Sequence, residues 1–416
     1  MLGSGEARRL ILERLEALEE IEEVPLARAA GRVLAREVRS DVDLPPFEKS
    51  AMDGYAVHSE DFTDSGGESQ PSKHSLPPER SLPIVGESRA GEPYRGEVPR
   101  GTCAAIYTGA EVPAGCDAVV MVERTTLEQT PDGPRAVLRD RPSPMQNICS
   151  RGQDLARGDL ALEPRRRLRA VDLAVLAAVG CDPVPVFRRP RVALATTGDE
   201  LVPAAKKPGP GQIREGNTLH LAALCELAGA VVVNLGILRD IPAELERAFA
   251  TALESCDVLI TTGGVSAGKY DLVGAALEHI GVTPLFHRVA IKPGKPLWFG
   301  MAGRKPVFAL PGNPVSCLVN HELFVRPALA RLSGEPDTTE PLRKGRWTGP
   351  AVRPNPREQF LPVVTRPGAD GVEELEPVRW NGSADVVGIA RARALAVVPA
   401  DASLRPGQLS EYRLLG

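Results

Sequence analysis

Aromatic side chains are scarce in this chain of 416 residues, at 4% of positions. Too few rings are present for the base-stacking platforms that bind single-stranded nucleic acid. Charge of one sign is lacking as well: 50 Lys and Arg stand against 54 Asp and Glu, a net charge of −4. No sequence-wide basic field therefore points to nucleic acid. No apolar run reaches the roughly 20 residues that span a bilayer. The opening stretch, MLGSGEARRLILERLEALEEIEE, is too charged for a secretory signal. The seven cysteines (Cys103, Cys116, Cys149, Cys181, Cys225, Cys256, Cys317) never form a CxxC pair. Scattered and odd in number, they read as reduced thiols of a cytoplasmic protein rather than a disulfide framework or a zinc site. The six histidines do not cluster with them, which argues against a His/Cys metal centre.

Glycine and proline, by contrast, are abundant, at 40 and 39. They imply many turns rather than one helical bundle, in a chain long enough for two to four domains. Leu10, Ile11, Leu15, Leu18 and Ile21 recur at helical spacing and predict an amphipathic helix over 6–22, with a second short helix over 25–35. Residues 59–83 are rich in Ser, Pro, Gly and charge and read as an irregular insertion. Short strands alternate with turns over 84–140, which makes that block β-rich. After about 170 the pattern changes. Strands at 191–195, 231–235, 257–261 and 306–310 alternate with helices at 219–228, 242–254, 271–279 and 314–332. This alternation predicts a mostly parallel, doubly wound sheet with its ligand at the carboxyl ends of the strands. From 335 onward short strands return, and a small β domain closes the chain.

Three loops stand where that ligand belongs. Thr196-Thr197-Gly198-Asp199-Glu200 offers two hydroxyls and two adjacent carboxylates. The stretch 261–271, TTGGVSAGKYD, offers Gly263 and Gly264 for close backbone approach, together with Ser266 and Asp271. Pro311-Gly312-Asn313-Pro314-Val315-Ser316 sets a good N-cap and an N1 proline at a helix start, with Ser316 and the first-turn amides expected to face outward as an anion site. Arg288 and the string Lys292-Pro293-Gly294-Lys295-Pro296 add fixed positive charge for an oxyanion or phosphate. Each loop could equally be turn chemistry that ends a strand or starts a helix. Together, carboxylates beside cations and hydroxyls suit a divalent cation with a phosphorylated ligand, and oxygen-only ligands favour Mg2+ over zinc.

The same letters permit two other chemistries. Gly263 to Lys269 nearly spells a phosphate loop, but Tyr270 stands where Ser or Thr would bind Mg2+. Gly264 to Gly268 spells GxSxG, and Asp271, His287 and His321 could complete a hydrolase triad, yet no HGGG-type oxyanion segment is present.

A further anchor lies upstream, in the SAMDGYAV segment that holds Asp53, in Tyr107-Thr108-Gly109-Ala110, and in the stretch from Asn147 to Asp154. SAMDGYAV, TGA with a following GCDAVVMVE, TTGDEL, GGVS with YD, KPGKP and PGNPVS occur here together and in order. In this the chain resembles the molybdopterin molybdenumtransferase (MoeA-like) family, which includes the E domain of gephyrin. The likeness runs from about residue 7 to the C-terminus and is weakest in 59–83 and in the tail.

The resemblance implies a multidomain α/β plus β fold. A discontinuous N-terminal helical and strand domain would comprise 1–50 and 141–172, with an inserted β-rich domain at 51–140. A MogA-like doubly wound α/β domain would follow at 173–333, and a small C-terminal β domain at 334–416. It implies insertion of molybdate into adenylylated molybdopterin with release of AMP, dependent on Mg2+. It further implies a cytoplasmic homodimer whose cleft joins the α/β domain of one subunit to the SAMDGYAV region of the other. The molybdopterin adenylyltransferase and molybdoenzyme apo-proteins become candidate partners, with neither nucleic acid nor membrane involved. Carried over by motif, Asp53, Thr108, Asp154, Glu200, Asp240 and Asp271 form the catalytic set, with Glu200 and Asp271 toward the metal. Gly263, Gly264, Ser266, Arg288, Lys292, Lys295, Pro311, Asn313, Pro314 and Ser316 would hold phosphate and molybdate oxygens. The chain departs from the family pattern at Cys149, where an Arg is common, and Arg151 is expected to supply that charge. It also departs at Gln153, at Glu215-Gly216-Asn217 and at Lys269. Two rivals share parts of this pattern: the adenylyltransferase, which lacks the SAMDGYAV flank, and a non-catalytic scaffold, which would more naturally carry extra domains or a long linker.

Overall fold

A strand that is buried at every position after its first, as Arg191–Thr197 is, needs apolar cover on both faces. It has such cover inside a six-stranded sheet. The computed structural model describes residues 1–62, 79–264, 272–336 and 342–415. They form two units, one of Met1–Arg36, Pro164–Arg169 and Pro183–Gly416, the other of Glu37–Glu163 and Ala170–Asp182.

In the first unit the sheet order is Val231–Leu238, Arg191–Thr197, Val258–Thr262, Lys305–Leu310, Pro296–Ala302, Thr283–Arg288. The first four strands are parallel, and Pro296–Ala302 runs antiparallel to both of its neighbours. The two-residue alternation sorts side chains by size. Val192, Leu194, Val258 and Ile260 share a core with Leu221 and Cys225 of the helix Asn217–Leu227 and with Val315 and Leu318. On the other face Ala193, Ala195 and Ala309 leave room for Phe249 of the helix Pro242–Ser255 and for Trp298. The parallel strands cross the sheet in the chain order second, first, third, fourth. The winding therefore reverses between Arg191–Thr197 and Val258–Thr262, where a crevice opens at their carboxyl ends. The alternating pattern read from the sequence is thus present. The strand Thr283–Arg288 lay outside it because Phe286 alone of its residues is buried, so it carries no apolar rhythm.

Two expectations near the N-terminus are corrected. The first helix is Ser4–Glu13, not 6–22, and 25–35 holds only a 3-10 turn, Leu26–Arg28. Leu15 and Leu18 are drawn out of the helix by tertiary partners: Leu18 N donates to Leu332 O at 2.8 Å, and Arg331 Nε to Leu15 O at 3.3 Å. Ile21–Val24 then pairs antiparallel with Val184–Phe187. The helix expected over 314–332 is Pro314–Asn320 and Arg326–Leu332 joined by a π-helical stretch, His321–Val325.

The tail forms the expected small β domain. Glu358–Pro367, Glu373–Pro377, Arg343–Trp347, Leu409–Leu414 and Ala394–Val398 pair in turn, and the last pairs back with the first, closing the sheet. Closure pairs each of these five strands on both sides and surrounds a core of Trp347, Val363, Leu375, Ala396 and Tyr412.

The second unit is β-rich, as the sequence implied. Its six-stranded sheet runs Ala118–Met121, Gly54–Val57, Cys103–Ile106, Arg80–Ser88, Gly133–Leu138, Thr125–Thr130. Alternation again divides two cores: Ala56, Ala104 and Val119 on one, and Val57, Cys103 and Val120 on the other.

Candidate active site

At the reversal point of the first unit lies a cavity of about 440 Å³. Thr196, Thr197, Gly198 and Glu200 line it from the end of one strand, Gly263 and Gly264 from the next, and Pro311, Gly312 and Asn313 from a third. Asp240 enters after the strand Val231–Leu238, with Asn217, Ile213, Leu201 and Pro296 completing the walls. Volume alone does not select it. A groove of about 960 Å³ in the same unit lies beside Asp257, Thr283 and Lys305, at the opposite, amino ends of the strands. Gly263 is confined by its neighbours: its φ is +91°, and a Cβ there would lie 2.3 Å from Thr197 O. Only glycine takes that conformation without strain, and it brings bare backbone to the cavity wall.

Negative charge is concentrated here. Burial raises the Asp240 carboxyl above the ordinary carboxylate range, and the charges of Asp199 and Glu200 add to the effect. A hydrogen bond from Thr197 opposes the rise, but its geometry is poor: Thr197 Oγ1 and Asp240 Oδ1 are buried, each without a well-formed partner among the described residues.

The Pro311–Asn313 loop is held by a network that the sequence did not announce. Asn217 Nδ2 donates to Gly312 O at 2.7 Å and to Thr262 Oγ1 at 3.2 Å, and Thr262 Oγ1 donates to Pro311 O at 3.1 Å. Beneath it Cys317 Sγ lies 2.9 Å from Pro311 O. Burial pushes that thiol up to about 12, so it acts as a neutral donor. Glu215 fixes the start of the Asn217 helix by accepting from Thr218 N and Oγ1 at 2.8 and 2.6 Å. The only advance signal was the position of Glu215-Gly216-Asn217 ahead of a helix.

One expectation for this loop is corrected. Ser316 is buried rather than outward-facing, and the Val315 amide donates to Ser383 O at 3.0 Å. Asn313 makes no capping bond with its side chain, whose Nδ2 donates instead to Ser383 Oγ at 2.8 Å. The C-terminal β domain supplies this partner from a residue no local pattern marks. Pro314 takes the first helical turn as expected.

The cationic candidates stand nearby in sequence but do not line the cavity. Arg288 and Lys292 are exposed and Lys295 half-buried, and none forms an ion pair among the described residues. Their loop is fixed by backbone: Ile291–Lys292 joins Glu358 and Gln359 as a short parallel strand, and Val289 N donates to Lys295 O at 3.0 Å. Ser266, Lys269 and Asp271 lie outside the described residues.

The second unit carries its own polar corner. Gly54 pairs with Ile106 in antiparallel register, which sets Asp53 beside the residues that follow Ile106. Thr108 N and Oγ1 both donate to Asp53 Oδ1 at 2.7 Å. These bonds, the backbone one first, hold the Asp53 carboxyl below its ordinary range. The backbone N of Asp154 donates to Leu44 O at 2.9 Å, and its side chain is exposed. Arg151 does not replace the missing arginine at Cys149 as a free charge, because its Nε pairs with Asp43 Oδ2 at 2.6 Å.

Comparison with known proteins agrees with the motif reading. Residues 3–180 match the model of the MoeA N-terminal region (domain I and II), 193–331 the "Probable molybdopterin binding domain", and 344–415 the MoeA C-terminal region (domain IV). The chain is 38% identical over 82% of its length to the molybdopterin molybdenumtransferase of Haemophilus influenzae, covering 80% of that protein. It is 34% identical over 95% of its length to molybdopterin molybdenumtransferase 2 of Mycobacterium tuberculosis, covering 99% of it. Among solved structures, a molybdopterin biosynthesis MoeA protein from Pyrococcus horikoshii superposes with a TM-score of 0.82 at 29% identity, with both chains covered completely. Shared along both units and across all three regional models, this likeness shows that the chain belongs to the MoeA family of molybdopterin molybdenumtransferases.

Proposed function

We propose that this protein inserts molybdate into adenylylated molybdopterin and releases AMP, a Mg2+-dependent step of molybdenum-cofactor synthesis. The observation that carries the reading is the acidic cavity at the reversal point of the sheet, walled by bare glycine backbone, in a chain of this family. Among the described residues no three His, Cys, Asp or Glu side chains gather closely enough to hold a metal ion. Mg2+ does not require such a cage, since it keeps several waters and takes one or two carboxylates with substrate phosphates. Asp240 Oδ1, without a well-formed partner among the described residues, and the charge crowding from Asp199 and Glu200 fit a divalent cation at this edge. Glu200, Asp240 and Asp271 would hold it, and when bound it would polarise the phosphoanhydride.

The remaining steps belong to the chain itself. Gly263, Gly264 and Pro311 to Asn313 present backbone to the substrate, with Pro314 starting the helix behind them, inside which Ser316 is buried. Arg288, Lys292 and Lys295, which stand outside the cavity wall, donate to phosphate and molybdate oxygens that reach beyond it, and Ser266 keeps the donor part that the family motif gives it. Asp53, Thr108 and Asp154 keep the catalytic part that the family motif gives them. With the reacting groups held in place, most of the acceleration comes from positioning. A cytoplasmic homodimer is part of the same reading, as are adenylyltransferase and apo-enzyme partners; sedimentation equilibrium tests the dimer.

The test is turnover of adenylylated molybdopterin with molybdate and Mg2+, following AMP and active cofactor. Wild type is expected to yield both. Glu200→Gln and Asp240→Asn are each expected to lose at least about tenfold, the worth of one charge-assisted contact. Cofactor formation unchanged in both variants would move the acidic site elsewhere, and AMP without active cofactor would overturn the transferase reading.

A further inference from the structure

One interior polar group of the first unit lies under the lysine loop rather than in the acidic cavity. Asn320 closes the helix Pro314–Asn320 and is fully buried. Its Nδ2 donates to Ser316 O, one turn back, at 2.9 Å and to Gly294 O at 3.2 Å. Both partners are carbonyl oxygens, so only the amide nitrogen can face them, and the orientation of the side chain is fixed. The other half of the amide gains nothing: Oδ1 is buried with no partner among the described residues. A buried acceptor left unpaired costs stability, so the value of this side chain lies in what its nitrogen holds.

What it holds is the tip of Lys292-Pro293-Gly294-Lys295. The two ends of that stretch are tied by backbone, Lys292 as the strand partner of Gln359 and Lys295 O as the acceptor of Val289 N. Gly294, between them, has a φ of +102°, and a Cβ there would lie 2.7 Å from Asn320 Nδ2 and 3.1 Å from Ile291 Cδ1. Glycine therefore lets the backbone sit directly on the amide. Gly294 is buried, while Lys292 is exposed and Lys295 half-buried. Fixing the tip sets where the two flanking lysines leave the backbone.

We propose that Asn320 is a positioning residue of the oxyanion site: by tethering Gly294 O it fixes the separation of Lys292 and Lys295, and with it the affinity for molybdate. It acts through the loop and does not touch the anion. The inference rests on the reading that these two lysines hold the substrate oxygens. An ammonium is a point charge on a flexible stem, so its reach is decided by where the backbone starts it. Two such charges act together on one anion only while their separation is held.

The test is equilibrium dialysis of molybdate against the full chain, paired with the molybdate KM and the kcat of cofactor formation. Asn320→Ser keeps a hydroxyl that can bond back to Ser316 O within the helix but is too short to reach Gly294 O. Asn320→Leu fills the same space with no donor. Each is expected to weaken molybdate binding by about tenfold and to raise KM by the same factor, with kcat little changed. In a Lys292→Ala background no pair is left to space, so Asn320→Ser should weaken binding hardly further. An equal loss in both backgrounds would make Asn320 a general support of the fold and overturns the proposal, as does unchanged binding in both Asn320 variants. Wild-type affinity in Lys292→Ala alone would show instead that the lysine reading itself has failed, and the proposal falls with it.

Discussion

Asp240 and Asp53 are carboxylates with opposite electrostatic histories. Asp240 is raised by burial and by Asp199 and Glu200. It therefore binds more protons folded than unfolded, and stability falls as pH rises from its ordinary 3.8 through the raised native value. Asp240→Asn is expected to stabilise the unliganded protein at neutral pH, with the advantage gone below pH 3.8, while turnover drops. Thermal denaturation across pH reads the first effect and AMP release the second. Asp53 is lowered by the amide and then the hydroxyl of Thr108. Its contribution is present above 3.8 and is lost as pH falls through the lowered native value. Thr108→Val keeps the N–H and removes the O–H, so the Asp53 titration midpoint, followed by carboxyl 13C NMR, should move up toward 3.8.

At the scale of elements, the cavity is made by three strand ends that could each have been ordinary turns. The Asn217–Thr262–Pro311 network turns them into a fixed wall. Asn217→Ala removes two donated bonds and should destabilise by about 1–2 kcal/mol. It should also raise KM more than it lowers kcat, because the loop it frees binds rather than reacts. Gly263→Ala forces a side chain into positive φ and against Thr197 O, so a loss of about 2 kcal/mol or more is expected in chemical denaturation. The glycines, the Pro311–Asn313 string and the alternation of strands with helices were legible from residue order. The π-helical stretch, the shortened first helix and the partnership of Ser383 with Asn313 were not. Each depends on a group distant in sequence, as when Leu332 takes the Leu18 amide and ends a helix that periodicity alone would extend.

For the whole molecule, buried thiols report on both units. Cys103 and Cys116 in one unit and Cys225 and Cys317 in the other are pushed up to about 12, chiefly by burial. At pH 8 they should resist alkylation in the native state, while the half-buried Cys149 and Cys181 react. Mass spectrometry through a urea series then shows whether the two pairs become reactive together or in sequence, and labelling of Cys317 in the native protein would contradict the packing beneath the Pro311 loop. The sequence by itself determined the alternation of strands with helices after residue 190, the positions of the glycine loops, the carboxylates and the paired lysines, because these follow from local periodicity and backbone chemistry. It could not decide that Asp240 is desolvated beside Asp199 and Glu200, that Arg151 is taken by Asp43, or that Ser316 turns inward. Only the tertiary structure decided these, because burial and pairing are set by what the rest of the chain brings alongside.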